Sequence, residues 1–399
     1  MADRPVLTVG VVAGEVSGDL LGGDLIRALK RQTDRPVRLV GVGGEDLQRE
    51  GLASLFDYSE LSIMGLSQVL ARLPTLIRRI RQTADALIAA RPDVLLIIDS
   101  PDFTHRVARR VRAALPGVPI IDYVCPSVWA WKEYRAPRMR GYVDHVLAVL
   151  PFEPEVMARL GGPKTSYVGH RLAQDAAVLA VRARQSARER ERERDGEAKD
   201  APRTCLLLPG SRGAEITRLL PEFQAAMLFL KERHPTMRFL LPTVPRQEAR
   251  VRDLVANWPH KPEISVGAEA KWEAFAEADA ALAASGTVIL ELGLCGIPVV
   301  STYRADWLIK LMHSRIRIWT GALPNLIADY PVVPEYFNES IRPGALARWI
   351  ERLAFDTDQR RAMRVGFDLV MARMQTPVPP GEAGAAIVLA YAEGRSAGI

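Results

Sequence analysis

Carboxylates and small polar residues collect at the ends of several apolar runs, where an open sheet would present them to a ligand. Asp99 closes the run Asp93–Asp99 (DVLLIID) and opens Asp99-Ser100-Pro101-Asp102-Phe103. A carboxylate at a strand's carboxyl end is placed to take a proton from a sugar hydroxyl. The same position suits a loop acceptor, with Asp102 capping the next helix. Ala13-Gly14-Glu15-Val16-Ser17-Gly18-Asp19 follows another apolar run. Its glycines allow close approach of a ligand, Glu15 and Ser17 supply polar groups, and Ser17 or Asp19 suits a helix cap. Leu208-Pro209-Gly210-Ser211-Arg212 lacks the GK[ST] of a Walker A loop, yet backbone amides beside an arginine suit a diphosphate. Ser285-Gly286-Thr287 repeats the small-residue turn, and Glu291 lies one helical turn on, able to accept from both hydroxyls of a ribose. Two such turns in one half of the chain favour a nucleotide diphosphate over bare turns. Trp129 and Trp131 follow a further run in Cys125–Lys132 (CPSVWAWK), as faces for a sugar or acyl chain or as a cover for a sheet end. Asn325, in Leu323-Pro324-Asn325-Leu326, offers donors and acceptors or serves as a turn residue.

The elements that carry these turns alternate. Val6–Ala13, Val37–Val42, Asp93–Asp99, Ile120–Val124 and Val146–Leu150 read as buried strands, with helices over Asp19–Lys30, Met64–Ile88 (interrupted near Pro74) and Phe103–Leu115. The alternation restarts with strands at Cys205–Leu208, Phe239–Thr243, Ala280–Ala283 and Pro298–Thr302. Helices are expected over Ile216–His234, Val288–Leu294, Ala345–Ala354, Gln359–Met374 and Ala385–Glu393. Strands alternating with helices imply doubly wound parallel sheets, twice over. Val181–Arg203 breaks the pattern with ARERERERDGEAKDAPR, which reads as a solvated helix end and loop at a domain junction or an insertion. The expected division is therefore 1–180, a charged linker at 181–203, and 204–399.

The length of 399 residues exceeds what one core usually supports, in agreement with two domains. Three widely spaced cysteines argue against a disulfide framework or a zinc site. The first ten residues lack a signal-peptide layout, and no apolar run approaches the about 20 residues of a membrane span. A net charge of +6 suits a phosphorylated substrate, an anionic membrane or nucleic acid, but no nucleic-acid module accompanies it. Met64–Arg81 and Trp307–Trp319 mix apolar and basic residues as a membrane-surface helix does, or as a core-facing helix with a basic outer side.

Taken in order, AGEVSGDLLGGDLIRALK, IMGLSQVL, IDSPDF, CPSVWAWK, LPFEPE, VGHRL, LPGSRGAE, ASGTVILE and LPNLIA resemble the lipid-A-disaccharide synthase family over residues 8 to 330. The resemblance implies an α/β fold of GT-B type, two facing Rossmann-like domains with a cleft between them. It implies an inverting transfer of 2,3-diacylglucosamine from UDP to 2,3-diacylglucosamine 1-phosphate, without metal or cofactor. The first domain would take the lipid acceptor and the second the UDP-sugar. The last helices would pack back on the first domain or on a partner subunit, so that a homodimer is allowed. Asp99 matches the family's general base, Glu15 and Ser17 its first glycine-rich loop, and Asn325 an essential asparagine. Gly210, Ser211, Arg212, Ser285, Gly286, Thr287 and Glu291 match the UDP-sugar site, with Met64, Trp129 and Trp131 on the acceptor side. The expected location is cytoplasmic, peripheral to the inner membrane. Rival readings are another UDP-N-acetylglucosamine-using enzyme of the same fold, and a nucleotide-sugar-binding protein without activity.

Overall fold

Seven consecutive buried residues, Leu7–Ala13, form the first strand, β1, and their apolar character, interrupted only by Thr8, is that of a strand covered on both faces. In this computed structural model, which describes residues 5–61, 66–195, 202–304 and 318–394, β1 belongs to one of two compact units. The first unit comprises Met1–Arg171 with Thr376–Ile399, the second Leu172–Gln375. Met64 and most of Trp307–Trp319 lie outside the described residues.

In the first unit β1 is followed by α1 (Val16–Gln32), β2 (Val37–Val42), α2 (Glu45–Arg49), α3 (Leu66–Ala90) and β3 (Val94–Ile98). Next come α4 (Pro101–Ala114), β4 (Ile120–Tyr123), α5 (Arg135–Met139), β5 (His145–Ala148), α6 (Glu153–Arg159) and β6 (Lys164–Tyr167). The six strands are parallel, in the order β2-β1-β3-β4-β5-β6. One core lies on each side of this sheet, one built around Leu25, Leu29 and Leu96, the other around Leu87, Ile97 and Val107. The α3 helix runs through Pro74, where the sequence suggested a break.

The second unit opens with α7 (Ala176–Asp195), then β7 (Thr204–Leu208), α8 (Gly213–Arg233), β8 (Arg238–Thr243), α9 (Glu248–Val255) and β9 (Glu263–Val266). It continues with α10 (Ala268–Glu277), β10 (Ala280–Ala284), α11 (Thr287–Cys295), β11 (Val299–Tyr303), α12 (Leu323–Ala328), β12 (Glu335–Phe337), α13 (Pro343–Ala354) and α14 (Asp358–Met374). Its strands are also parallel, in the order β12-β11-β10-β7-β8-β9, which is the dinucleotide-fold order read from its far edge. The last helix, α15 (Pro380–Ala392), returns to the first unit and lies on α1, with Gly381 against Asp24 and Gly384 against Leu25.

The charged stretch is not a linker through its first half. The unit boundary falls at Arg171, and α7 carries the Arg/Glu repeat as helix up to Asp195. The helix holds because its charges have buried partners. Asp279, 1% exposed, accepts from the Thr204 amide at 2.7 Å, from Arg188 at 3.0 Å and from Arg192. Gln185 donates to the carbonyls of Phe275 and Ala278 at 2.8 and 3.0 Å. Arg360, also 1% exposed, grips Glu189 with two hydrogen bonds at 3.0 and 3.2 Å and donates to the Asp279 carbonyl at 2.7 Å. Burial alone would raise the Glu189 pKa, but the Arg360 hydrogen bonds and the charges of Arg360, Arg364 and Arg192 outweigh it, and the carboxyl titrates below its usual range. A lowered folded-state pKa gives stability above the ordinary carboxylate pKa that is lost as pH falls through the folded value. Replacing Arg360 by Ala takes both of its hydrogen bonds from Glu189, which keeps Arg192 and Arg364 at 3.5 and 3.6 Å, so the cost falls at the lower end of the roughly 3–5 kcal/mol of a broken buried pair. Urea denaturation of Arg360→Ala should show that loss near neutral pH and a smaller one near pH 3; an unchanged midpoint would remove the network from the account.

Candidate active site

In the first unit the chain leaves β1 toward β2, then returns to place β3 on the other side of β1. Ligands of open α/β sheets bind at such a reversal, outside the carboxyl ends of the two strands. The Gly14–Ser17 turn and Asp99 both stand there. Gly14 is needed for the contact, since a Cβ on it would come within 2.8 Å of the Ser100 Cβ. Ser17 Oγ donates to Asp99 Oδ2 at 3.2 Å, and the Ser100 amide donates to Oδ1 at 2.7 Å. Asp99 and Ser100 both adopt left-handed backbone, φ 52° and 45°, a cost of about 1–3 kcal/mol each for non-glycine residues. The Asp99 amide donating to the Tyr123 carbonyl, and its own carbonyl accepting from Thr104 Oγ1 at 2.7 Å, hold that geometry. The result is a half-buried carboxylate aimed by two donors at a strand end.

Two expected caps differ. Ser100, not Asp102, stands at the N-cap of α4, and Asp102 pairs with Arg135 at 3.1 Å. Asp19 does not cap α1. It is buried and accepts from the amides of Gly44, Asp46 and Leu47 at 2.7, 2.9 and 3.3 Å, which stabilises the start of α2 across from its own helix. Glu15 is exposed at the N-cap of α1.

The two tryptophans part company. Trp131 is exposed, with Lys132 Nζ 3.8 Å from its ring centroid. Trp129 is half-buried, stands edge-on to Phe152 at 5.4 Å, and donates its indole N–H to Glu153 Oε1 at 3.2 Å. Glu153 also accepts from the amides of Val149 and Leu150 at 3.1 and 3.0 Å. Burial pushes its carboxyl up to about 7, against the lowering effect of those three hydrogen bonds.

In the second unit the reversal lies between β7 and β10. A cavity of about 670 Å³ opens there, and its lining includes Gly210, Ser211, Arg212, Ser285, Gly286 and Thr287. The two turns singled out from the sequence therefore meet, although three helices and three strands separate them along the chain. Gly210 stands at φ 103°, a backbone conformation that strains any side-chain-bearing residue. At Gly286 a Cβ would meet nothing within 4 Å. The helices α8, α10 and α11 all begin at this cavity, so three positive helix ends surround it. Arg212 is exposed, with Glu215 at 3.0 Å. Such a site attracts a diphosphate.

Sequence reasoning missed part of the lining: Thr243, Val244 and Pro245 after β8, Gly267 at φ 100°, and Lys271. The turn signals at Pro245 and Gly267 were available; nothing in the sequence pointed to Lys271. Lys271 pairs with Glu291 at 3.0 Å, which ties the expected ribose carboxylate to the cavity wall. Asn325 is different in kind. It is 1% exposed, and its amide is fully engaged: Oδ1 accepts from the Val332 and Val333 amides at 2.8 and 2.7 Å, while Nδ2 donates to Thr320 Oγ1 and the Val333 carbonyl at 3.0 Å each. Among the described residues no three His, Cys, Asp or Glu side chains gather as a metal site.

The lipid-A-disaccharide synthetase family model matches residues 9–376. A lipid-A-disaccharide synthase of Nitrobacter winogradskyi is 48% identical over 97% of this chain and 96% of its own. The chain belongs to the lipid-A-disaccharide synthase family. It is a glycosyltransferase of lipid A biosynthesis. Among solved structures it is similar to the UDP-GlcNAc 2-epimerase of Neisseria meningitidis bound to UDP-GlcNAc, with a TM-score of 0.59 at 15% identity over 97% of this chain and 99% of that one. It is also similar to the glycotransferase of kitacinnamycin, with a TM-score of 0.60 at 17% identity over 97% and 99%. That likeness is one of fold, two Rossmann-like units of GT-B type, and the family membership carries the activity.

The raised carboxyl of Glu153 has a measurable sign. A carboxyl that must ionise while buried contributes most below its unfolded-state pKa, and that contribution is lost as pH rises from about 4.5 to about 7. Glu153→Gln cannot ionise. Its unfolding free energy relative to wild type should therefore improve with pH across this window and stay level above it. A constant difference between pH 4 and 8, followed by chemical denaturation, would show that the Glu153 carboxyl ionises in the folded protein at the same pH as in the unfolded chain.

Proposed function

We propose that the chain joins UDP-2,3-diacylglucosamine to 2,3-diacylglucosamine 1-phosphate, with the UDP moiety in the second-unit cavity and Asp99 as general base. The observation that carries this reading is the convergence of two small-residue turns, Arg212 and three helix N-termini on one cavity. As the acceptor 6-hydroxyl attacks the anomeric carbon, its proton passes to Asp99, whose carboxylate Ser17 orients. The bond from the anomeric carbon to the diphosphate oxygen breaks with inversion, and negative charge grows on UDP. Arg212 and the N-terminal amides of α8 and α11 stabilise that charge where it develops. Ser285, Gly286 and Thr287 line the diphosphate side, and Gly286 lets the nucleotide approach the backbone. Glu291, held by Lys271, accepts from the ribose hydroxyls. Glu15 completes the acceptor turn beside Ser17.

Incubation with both lipids and EDTA should yield UDP and the disaccharide 1-phosphate by mass spectrometry. Asp99→Asn should lower turnover by about 10²–10⁴ and leave UDP affinity within twofold. UDP release without disaccharide would point to a different acceptor, and full turnover of the variant would exclude Asp99 as the base.

Acylated substrates bring the enzyme to a membrane surface, and we assign the α3–α4 face of the first unit to it. Arg78, Arg81, Arg106 and Arg110 are exposed there without a carboxylate partner among the described residues, and Ile77, Ile80 and Ala113 line a groove with Arg106, Arg109 and Arg110. No helix among the described residues is long and apolar enough to cross a membrane. On this reading the enzyme works at the cytoplasmic face of the inner membrane. It should float with phosphatidylglycerol vesicles at low salt and detach at high salt, and Arg106→Glu with Arg110→Glu should abolish flotation. Flotation that ignores both salt and the double substitution would place the contact elsewhere.

A further inference from the structure

The family's essential asparagine does not present its amide to a ligand, and the hydrogen bonds it makes lead to a carboxylate the sequence did not single out. Glu335 opens β12, paired in register with Ser301 of β11. Its Oε1 accepts from the Gly321 amide at 3.0 Å, and its Oε2 accepts from Thr320 Oγ1 and, at 3.5 Å, from Asn325 Nδ2. Thr320 Oγ1 in turn accepts from Asn325 Nδ2 at 3.0 Å and from the Ala322 amide at 3.2 Å. That hydroxyl has one proton to donate and two lone pairs, and all three are engaged. Thr320, Gly321 and Ala322 are thus fixed from below by two side chains. The turn so fixed reaches the cavity wall: a Cβ on Gly321 would lie 3.3 Å from Glu335 Oε1 and 3.7 Å from Oγ of Ser285, a cavity residue.

We infer that Glu335 is a positioning residue of the nucleotide-sugar site, and that Asn325 acts through it, together holding the Thr320–Ala322 turn against Ser285. This inference rests on the nucleotide-sugar reading of the cavity. Glu335 has to be ionised for the network to close, because it accepts every hydrogen bond it makes and its partners are donors. Among the described residues the groups that face it are neutral: the Thr320 hydroxyl, the Gly321 and Ala322 amides, the Asn325 amide, and Ser301 across the strand pair. Burial raises its carboxyl pKa, against the pull of those hydrogen bonds. A second carboxylate at position 325 would therefore stand beside it with no cation among the described residues to separate the two, and like charges so close do not both ionise.

The test is UDP affinity by calorimetry at pH 8 and pH 5.5, each variant compared with wild type at the same pH, with thermal melting to confirm folding. Asn325→Asp should bind UDP at least tenfold more weakly at pH 8. At pH 5.5, where one carboxyl can keep a proton and donate to the other, it should recover to within threefold. Glu335→Gln sets an amide against the Thr320 and Asn325 donors and should be weak at both pH values. The exchange Asn325→Asp with Glu335→Gln restores one donor and one carboxylate, with only the bond to the Val333 carbonyl lost, and should bind UDP at least threefold more tightly than Asn325→Asp at pH 8. Wild-type affinity of Asn325→Asp at pH 8, or an equal loss at both pH values that the exchange does not rescue, would overturn the inference. Disaccharide synthesis by the unsubstituted enzyme is measured in parallel. An enzyme that binds UDP but forms no disaccharide refutes the proposed reaction, while the UDP series still decides the role of Glu335.

Discussion

Parallel pairing of β7 with both β8 and β10 is the constraint on which the rest of the second unit depends. Right-handed crossovers carry the helix after β7 to one face of the sheet and the helix after β10 to the other. Accordingly α8 packs with α13, and α11 packs with α7 and α14. A cavity remains at the two strand ends among the described residues, and the starts of α8 and α11 both border it. The phosphate chemistry follows from topology. An arginine and a few small residues suffice to specialise a site that the strand order has already made electropositive. The same constraint in the first unit leaves β1 and β3 with the Gly14–Ser17 turn and Asp99.

What the sequence disclosed depended on burial. Central strands such as β1, β3 and β10 are apolar on both faces and stand out as continuous runs. The edge strands β6, β9 and β12 are half-exposed along most of their length, and their mixed residues escaped notice. Glu335 begins one of these and was hidden with it. The turns Gly210–Arg212 and Ser285–Thr287 were legible because glycine and small residues at strand ends have few other uses. Their meeting was legible only through the resemblance, since spacing along the chain carries no strand order. Lys271 and Asp19 act across elements, through partners that no local pattern announces.

The charged half of α7 shows the converse error. Arg and Glu in alternation read as solvated because charges are rarely buried without partners. Here the partners are present: Asp279 gathers Arg188 and Arg192, and Glu189 meets Arg360. Those contacts dock the helix against β7, α10 and α14. Such ionic docking need not be more stable than an apolar one. What it provides is registration, since each guanidinium fits one carboxylate or carbonyl set and a shifted helix would leave several unmet.

The return of α15 to the first unit bears on how the molecule is made. Ala385, Ile387, Val388 and Leu389 belong to the same core as Leu25 and Leu29 of α1, although the whole second unit separates them along the chain. A ribosome releases α1 before the second unit and α15 after it. Throughout synthesis of the second unit, the first carries an uncovered apolar strip along α1. The second unit, encoded without interruption, can close its own core first. The nascent chain therefore matures in an order opposite to its numbering, and its early half is the part in need of protection from aggregation until α15 has emerged.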